Sequence, residues 1–363
     1  MSAKDYPEAL KNAKAAWKAA ERSLGDSKTT GDLAFNYGFL AKARGKTKSA
    51  IPALKRAADL AIIGREKGAE VRLEREVELV SAMEKAGEEK DAKERVEKAL
   101  NFAQGQGLSQ TVFAGELLVH ESNLCNSRAN RVANEPQRKS RTGSRHDKNK
   151  NPEEYAASLQ KLCAKSAKQA LNIFTVNKIT ARPSYIAAAA NAMGYAYERD
   201  KDYIQAALSY QIARDAIEEK FGRKNPLVMH TIGRWINARS RIVWNNKLDK
   251  AKAEGLGDYW PYVSDIPKVK ATKQAQSKMA LNALKAQSSG FVVMETDVTD
   301  DGRPVNSRIV HSWPDGLYDT DAMDTITHWE FAPKTGSEPA DFRKKVTVPL
   351  TYIIYNRRSK DAY

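Results

Sequence analysis

The side chains best suited to ligate a metal or to act as base or nucleophile are five histidines and two cysteines in 363 residues. His120, His146, His230, His311 and His328 form no His-x-x-x-His spacing, and Cys125 and Cys163 form no Cys-x-x-Cys. Metal sites of those kinds need ligands converging from short, fixed spacings, so none is encoded locally. His311 precedes Ser312 and His328 precedes Trp329, but no nucleophile elbow surrounds them. Asp297, Asp300 and Asp301 carry the oxygens that calcium prefers. They surround an Asp-Gly turn, however, where Asp is expected for its local backbone bonding. With no Gly-rich phosphate loop either, the chain reads as a non-enzyme without a cofactor.

A second chemical feature is a basic run. Arg128, Arg131, Arg138, Lys139, Arg141, Arg145, Lys148 and Lys150 stand against Glu135 and Asp147. The run has no apolar period and too little apolar surface to fold, so residues 128–151 read as a disordered insertion. It could grip an anionic surface such as lipid headgroups, lipopolysaccharide or peptidoglycan acids. Without interleaved aromatics it lacks the stacking platform for single-stranded nucleic acid, so nucleic acid is not the expected partner. The plainer reading is a solvated loop.

The elements that carry these residues are mostly helical. Ala, Lys and other helix formers dominate the first two-thirds, and β-branched residues gather in the last fifth; the net charge is +15. That shift predicts an α part followed by a small α/β part, an α+β multidomain chain. Tyr6 to Leu24 is a predicted helix with Ala13, Trp17 and Ala20 on one face. The small–large–small triplet returns as Ala50, Leu54, Ala57; as Ala92, Val96, Ala99; and as Ala206, Tyr210, Ala213. A weaker copy is Cys163, Ala167, Ala170. First members are separated by 37, 42, 71 and 43 residues, near a ~34-residue helical-repeat period with one ~30-residue insertion. Tyr37-Gly38 and Met193-Gly194 mark partner helices, and Leu227 to Trp244 is another.

This pattern resembles tetratricopeptide repeats, and the resemblance implies about five helix pairs in a right-handed superhelix over 1–254. The alternative is a non-repetitive helical bundle. In that repeat register Cys125 lies late in a first helix, Thr111 to Ser127, and Cys163 lies in the facing second helix. The resemblance therefore leaves two options, a disulfide that closes the basic insertion in an oxidising compartment, or two buried free thiols. Residues 255–271 read as a linker with an aromatic cluster, Tyr259-Trp260-Pro261-Tyr262, and Thr272 to Gln287 as a helix.

The last stretch is the most specific. Gly290, Val292 and Val293 open a strand, Asp301-Gly302 turns it, and a second strand ends at Val310 and Ser312. A helix from Asp319 to His328 with Ala322 follows, then Trp329-Glu-Phe331-Ala-Pro333, and a last strand from Val346 to Tyr355. Alternation around Asp-Gly is a strong hairpin signal. The full order resembles the C-terminal domain of TonB-type energy transducers, a small β-β-α-β unit, here placed in 272–363. The resemblance implies that the closing strand pairs with an extended peptide of an outer-membrane receptor. The matching positions are Thr347, Val348, Leu350, Thr351, Tyr352 and Ile353. Pro349 departs from an ideal strand because it has no N–H to donate.

TonB-type transducers carry an N-terminal anchor and a proline-rich spacer; neither is visible here, nor is an export signal. The expectation is a periplasmic adaptor that binds an envelope protein by strand addition and a second partner through the repeats. Alternatives are an envelope structural protein that holds peptidoglycan or an anionic surface through Arg128, Arg131, Arg138, Lys139, Arg141 and Arg145, or a transport component whose anchor lies elsewhere. An open sheet edge also allows a homodimer by exchange of C-terminal strands.

Overall fold

The computed structural model describes residues 6–134, 152–177, 181–222, 225–245, 247–257, 269–275, 290–336, 338–339 and 341–352. These are mostly helical with a small antiparallel sheet region, an α+β arrangement. They divide into two compact units, one ending at Ala192 and the next beginning at Met193.

The first unit holds α1 (Tyr6–Ser23), α2 (Lys28–Ala43), α3 (Thr47–Asp59), α4 (Gly68–Ala86), α5 (Glu89–Gly105), α6 (Val112–Asn134), α7 (Pro152–Val176) and the start of α8 (Pro183–Arg199). Local chemistry sets the ends. Ser27 caps α2 by accepting the Thr30 N–H at 3.1 Å, and Gly87 ends α4 in the left-handed region at φ +80°, where a side chain would be strained. From α1 to α7 each helix packs on the next, and the small–large–small faces lie buried between them. Ala50, Leu54 and Ala57 are fully buried, as are Ala92, Val96 and Ala99 to within 3%. Glycines sit opposite Leu54 and opposite Phe174 of α7. A Cβ on Gly38 would lie 2.7 Å from Leu54 Cγ, and one on Gly115 would lie 2.7 Å from Phe174 Cε1. Helix pairs approach this closely only where one side has no side chain.

Gly115 corrects the expected register of α7. The large residue opposite the glycine is Phe174, so the face equivalent to Ala50–Leu54 is Ala170–Phe174, seven residues beyond the Cys163–Ala167 copy read from sequence. A second correction concerns the insertion. Residues 128–134 belong to α6, where Ala129 is fully buried on the face of Ser122 and Cys125, seven and four residues before it. Residues 135–151 lie outside the described residues.

The second unit continues from α8 into α9 (Tyr203–Phe221), α10 (Pro226–Trp244) and α11 (Leu248–Ala253). Then come β1 (Ala271–Lys273), β2 (Gly290–Val298), β3 (Pro304–Trp313), α12 (Asp319–Thr327), β4 (Glu330–Phe331) and β5 (Val346–Tyr352). The sheet order is β3-β2-β5, all antiparallel, and β1 pairs separately with β4. β2 is buried on both faces. Val292, Met294 and Val298 share a core with Tyr318, Ala322, Ile326, Trp329 and Phe331. Phe291 turns the other way, onto α10, where a Cβ at Gly233 would lie 3.4 Å from its ring.

That contact explains a difference from the sequence reading, which set the boundary at 254–255. α9–α11 group with the sheet because α10 packs against β2 and β5. Thr272 and Lys273 are in a strand rather than a helix, since Ala271 pairs with Phe331 and Lys273 with Glu330. The aromatic cluster 259–262 and most of the expected helix to Gln287 lie outside the described residues, as does the last strand beyond Tyr352.

Candidate functional site

β5 holds the residues expected to pair with a partner: Thr347, Val348, Leu350, Thr351 and Tyr352, with Ile353 beyond the described residues. Seven consecutive pairs join it to β2, from Gly290↔Tyr352 to Thr296↔Val346, without a register shift. Pro349 sits opposite Val293 and does not interrupt them. β5 carries no charged residue and ends the ladder.

Its side chains are nonetheless buried. Thr347 and Val348 are each 1% exposed, and Val346, Pro349, Leu350 and Tyr352 are also buried. β5 is an edge strand, as the sequence leads one to expect; α12 and its core lie on one face, and α10 packs against the strand as well. At the other edge, β3, Val305 and Val310 are about 40% exposed. β3 is poorly suited to accept a strand. Its register shifts twice against β2, it begins at Pro304, and Asn306 is left-handed at φ +53°. Arg308, which donates to Glu295 at 3.0 Å, adds an exposed charge. Bulges, proline and charge are how natural edges avoid pairing.

Arg343, which spacing did not single out, and Asp297 hold the entry to β5. Arg343 is buried and donates to the carbonyls of Thr299 and Ala332, each at 2.9 Å, and to Glu338 at 2.6 Å. It thereby ties the hairpin turn, the segment after β4 and the approach to β5. Asp297 accepts the Lys345 N–H at 3.0 Å. That backbone bond, with Asn306 and Lys344, holds the Asp297 carboxyl below the usual carboxylate range. A lone loop arginine has no sequence signature; only its burial reveals it. Tyr318 stacks on Tyr352 with ring centroids 4.1 Å apart.

Asp300 and Asp301 pair with Lys334 and Arg303 respectively. Ser312 Oγ accepts the Gly316 N–H at 3.3 Å, and His328 Nδ1 lies 2.9 Å from the Asp324 carbonyl. No three His, Cys, Asp or Glu side chains converge as metal ligands among the described residues. No described helix is long and apolar enough to cross a membrane.

In the first unit Cys125 and Cys163 form a disulfide that joins α6 to α7, with Cα atoms 5.5 Å apart. Arg128 donates to the Tyr155 hydroxyl at 3.0 Å, and Arg131 pairs with Glu89. Arg138, Lys139, Arg141 and Arg145 lie outside the described residues.

A buried charge ladder, also missed from sequence, crosses α2, α4, α6 and the start of α8. Lys42 pairs with Glu78, and Arg182 reaches Glu78 at 2.8 Å and Glu116 at 2.5 Å. His120 continues it, with Nδ1 2.9 Å from Glu84 and Nε2 3.1 Å from the Tyr185 hydroxyl. Burial pushes the Glu116 carboxyl up despite Arg182. Burial acts on Glu78 the same way, but Lys42 and Arg182 outweigh it and hold that carboxyl down. Its members lie tens of residues apart, so no local spacing announces them.

No family model matches this chain, and no curated protein does. Among solved structures, the crystal structure of BtubC (BKLC) from P. vanneervenii is similar over 73% of this chain and 98% of its own, with 14% identity and a TM-score of 0.47. A likeness at that level carries no argument about function.

Proposed function

We propose that the protein is a periplasmic adaptor whose C-terminal sheet resembles that of TonB-type transducers and whose helices are tetratricopeptide-like repeats. The sheet adds an extended segment of an outer-membrane receptor or another envelope protein alongside β5, and the helical array holds a second partner. One observation carries the reading. β5 is a regular, uncharged strand at the end of its ladder, while the opposite edge, β3, is bulged and charged. Main-chain hydrogen bonds supply the affinity in strand addition, so a regular strand matters more than particular side chains. The side chains of β5 are buried against its two faces, so a partner pairs through the outer main-chain edge. The Cys125–Cys163 disulfide supports an oxidising compartment such as the periplasm.

The test uses the full chain with a photo-crosslinking residue at position 351, and at 310 on β3 as the control, in envelope extract. Crosslinks to outer-membrane receptors from 351 alone are expected. Absence of crosslinks from 351, or an equal yield from 310, rejects strand addition at β5. Crosslinks between two copies would instead identify strand exchange.

A further inference from the structure

α7 carries its charge differently from α5. On α5, Lys93 pairs with Glu97 and Lys98 with Glu94, so cation and anion alternate along its outer face. From Tyr155 to Val176, α7 has no acidic residue. Its lysines Lys161, Lys165 and Lys168 are exposed and have neither an ion-pair nor a hydrogen-bond partner among the described residues. At about 100° of turn per residue they fall within about 60° of one another, in a single stripe. The buried Cys163 and Ala170 stand roughly opposite.

Two apolar side chains flank the stripe. Leu162 is 55% exposed and Val176 is 84% exposed. Both lie on the Lys165 side of it, about 60° and about 20° beyond that residue. The helix holds this face outward from behind. Cys163 is bonded to Cys125 of α6, Ser166 Oγ donates to Glu121 of α6 at 2.7 Å, and Phe174 is buried. Of the arginines in the basic run, Arg128 donates to Tyr155 and Arg131 pairs with Glu89. The α7 lysines have no such engagement.

We propose that the outer face of α7 rests on an anionic phospholipid surface, with Lys161, Lys165 and Lys168 at the headgroups and Leu162 and Val176 at the boundary with the acyl chains. The lysines select negative charge, and each adds attraction near such a surface. The two apolar side chains favour lipid over an anionic glycan or a nucleic acid, since only lipid offers an apolar layer beneath its charge. Beyond Lys161 the face carries no aromatic side chain on which a base could stack. The inference goes beyond the adaptor reading and does not rest on pairing at β5.

The test is co-sedimentation of the full chain with vesicles of phosphatidylglycerol and phosphatidylcholine in equal parts, and with vesicles of phosphatidylcholine alone. Binding to the mixed vesicles only is expected. Lys161→Gln with Lys165→Gln and Lys168→Gln, with helical circular dichroism unchanged, weakens it by about tenfold or more. Lys46→Gln with Lys48→Gln and Lys55→Gln removes the same charge from exposed lysines on and beside α3, and changes binding by less than about threefold. That comparison separates the α7 face from the general attraction of a chain with net charge +15. Leu162→Ser with Val176→Ser weakens binding severalfold and leaves its salt dependence unchanged. No binding to the mixed vesicles, or equal losses in the two lysine variants, overturns the proposal. So does binding indifferent to Leu162 and Val176 with equal uptake by isolated murein, which would assign the face to an anionic glycan. Crosslinking at β5 reads a different part of the chain, so the two readings fail separately.

Discussion

Phe331 donates its N–H to the Gly302 carbonyl at 2.8 Å, while its own carbonyl occupies the space a Gly302 Cβ would need. Gly302 is also left-handed, at φ +90°. The β2–β3 turn is thereby sewn to β4, and through Arg343 to the approach of β5. Gly302→Ala adds a strained backbone and a clash with main chain, which does not yield as a side chain would. A loss of about 3 kcal/mol or more is expected in denaturant unfolding. A wild-type midpoint would show that β4 can move off the turn.

Helix glycines divide by what faces them. Gly38→Ala and Gly115→Ala push against Leu54 and Phe174, and cost about 1–3 kcal/mol each by overpacking. Gly105, also helical, faces nothing within 4 Å. Gly105→Ala should raise stability by about 0.5–1 kcal/mol, because alanine loses less backbone entropy. Thermal midpoints of the three variants separate the two classes.

The disulfide spans 38 residues of sequence. Chain-entropy reasoning gives about 4 kcal/mol for closing such a loop. Reduction, or Cys163→Ser, should lower stability by up to that amount. Thiol titration of the denatured, unreduced protein should find no free sulfhydryl. Two free sulfhydryls would remove the bridge.

His230 sits against the Tyr195 hydroxyl, 2.6 Å from Nε2. Burial, helped by Arg234, pushes its pKa down to about 4. The folded state therefore keeps His230 neutral while the unfolded chain takes up a proton near pH 6.5. Its contribution is complete above that pH and falls away as pH drops toward 4, by roughly 3 kcal/mol in all. His230→Gln should flatten this part of the stability–pH curve. An unchanged slope would show that other groups govern it.

The hairpin was legible because the valine-rich run Gly290–Val298 and the alternating run after Arg303 flank an Asp-Gly turn, a signal that needs no distant partner. The triplet helices were legible for the same reason, since Ala50, Leu54 and Ala57 repeat a local spacing. What failed was set by tertiary context. The α7 register depends on Phe174 meeting Gly115, a residue 59 positions away. The stretch from Thr272 to Gln287 favours a helix as a whole, and pairing of Ala271 with Phe331 and of Lys273 with Glu330 makes its start a strand. The burial of β5 needs α10, which sequence order assigns to another domain. The charge ladder from Lys42 to Arg182 and the clasp at Arg343 are convergences of remote residues, and a linear pattern does not encode them.

The Cys125–Cys163 bond also decides how this protein would respond to a pull along its length. Tension entering through α6 leaves through α7 across two sulfurs, and the intervening segment never comes under load. Stretched out, those residues would add about 130 Å of slack at roughly 3.5 Å each. While the sulfurs stay joined, that slack is locked away, and the tether is stiff there instead of yielding.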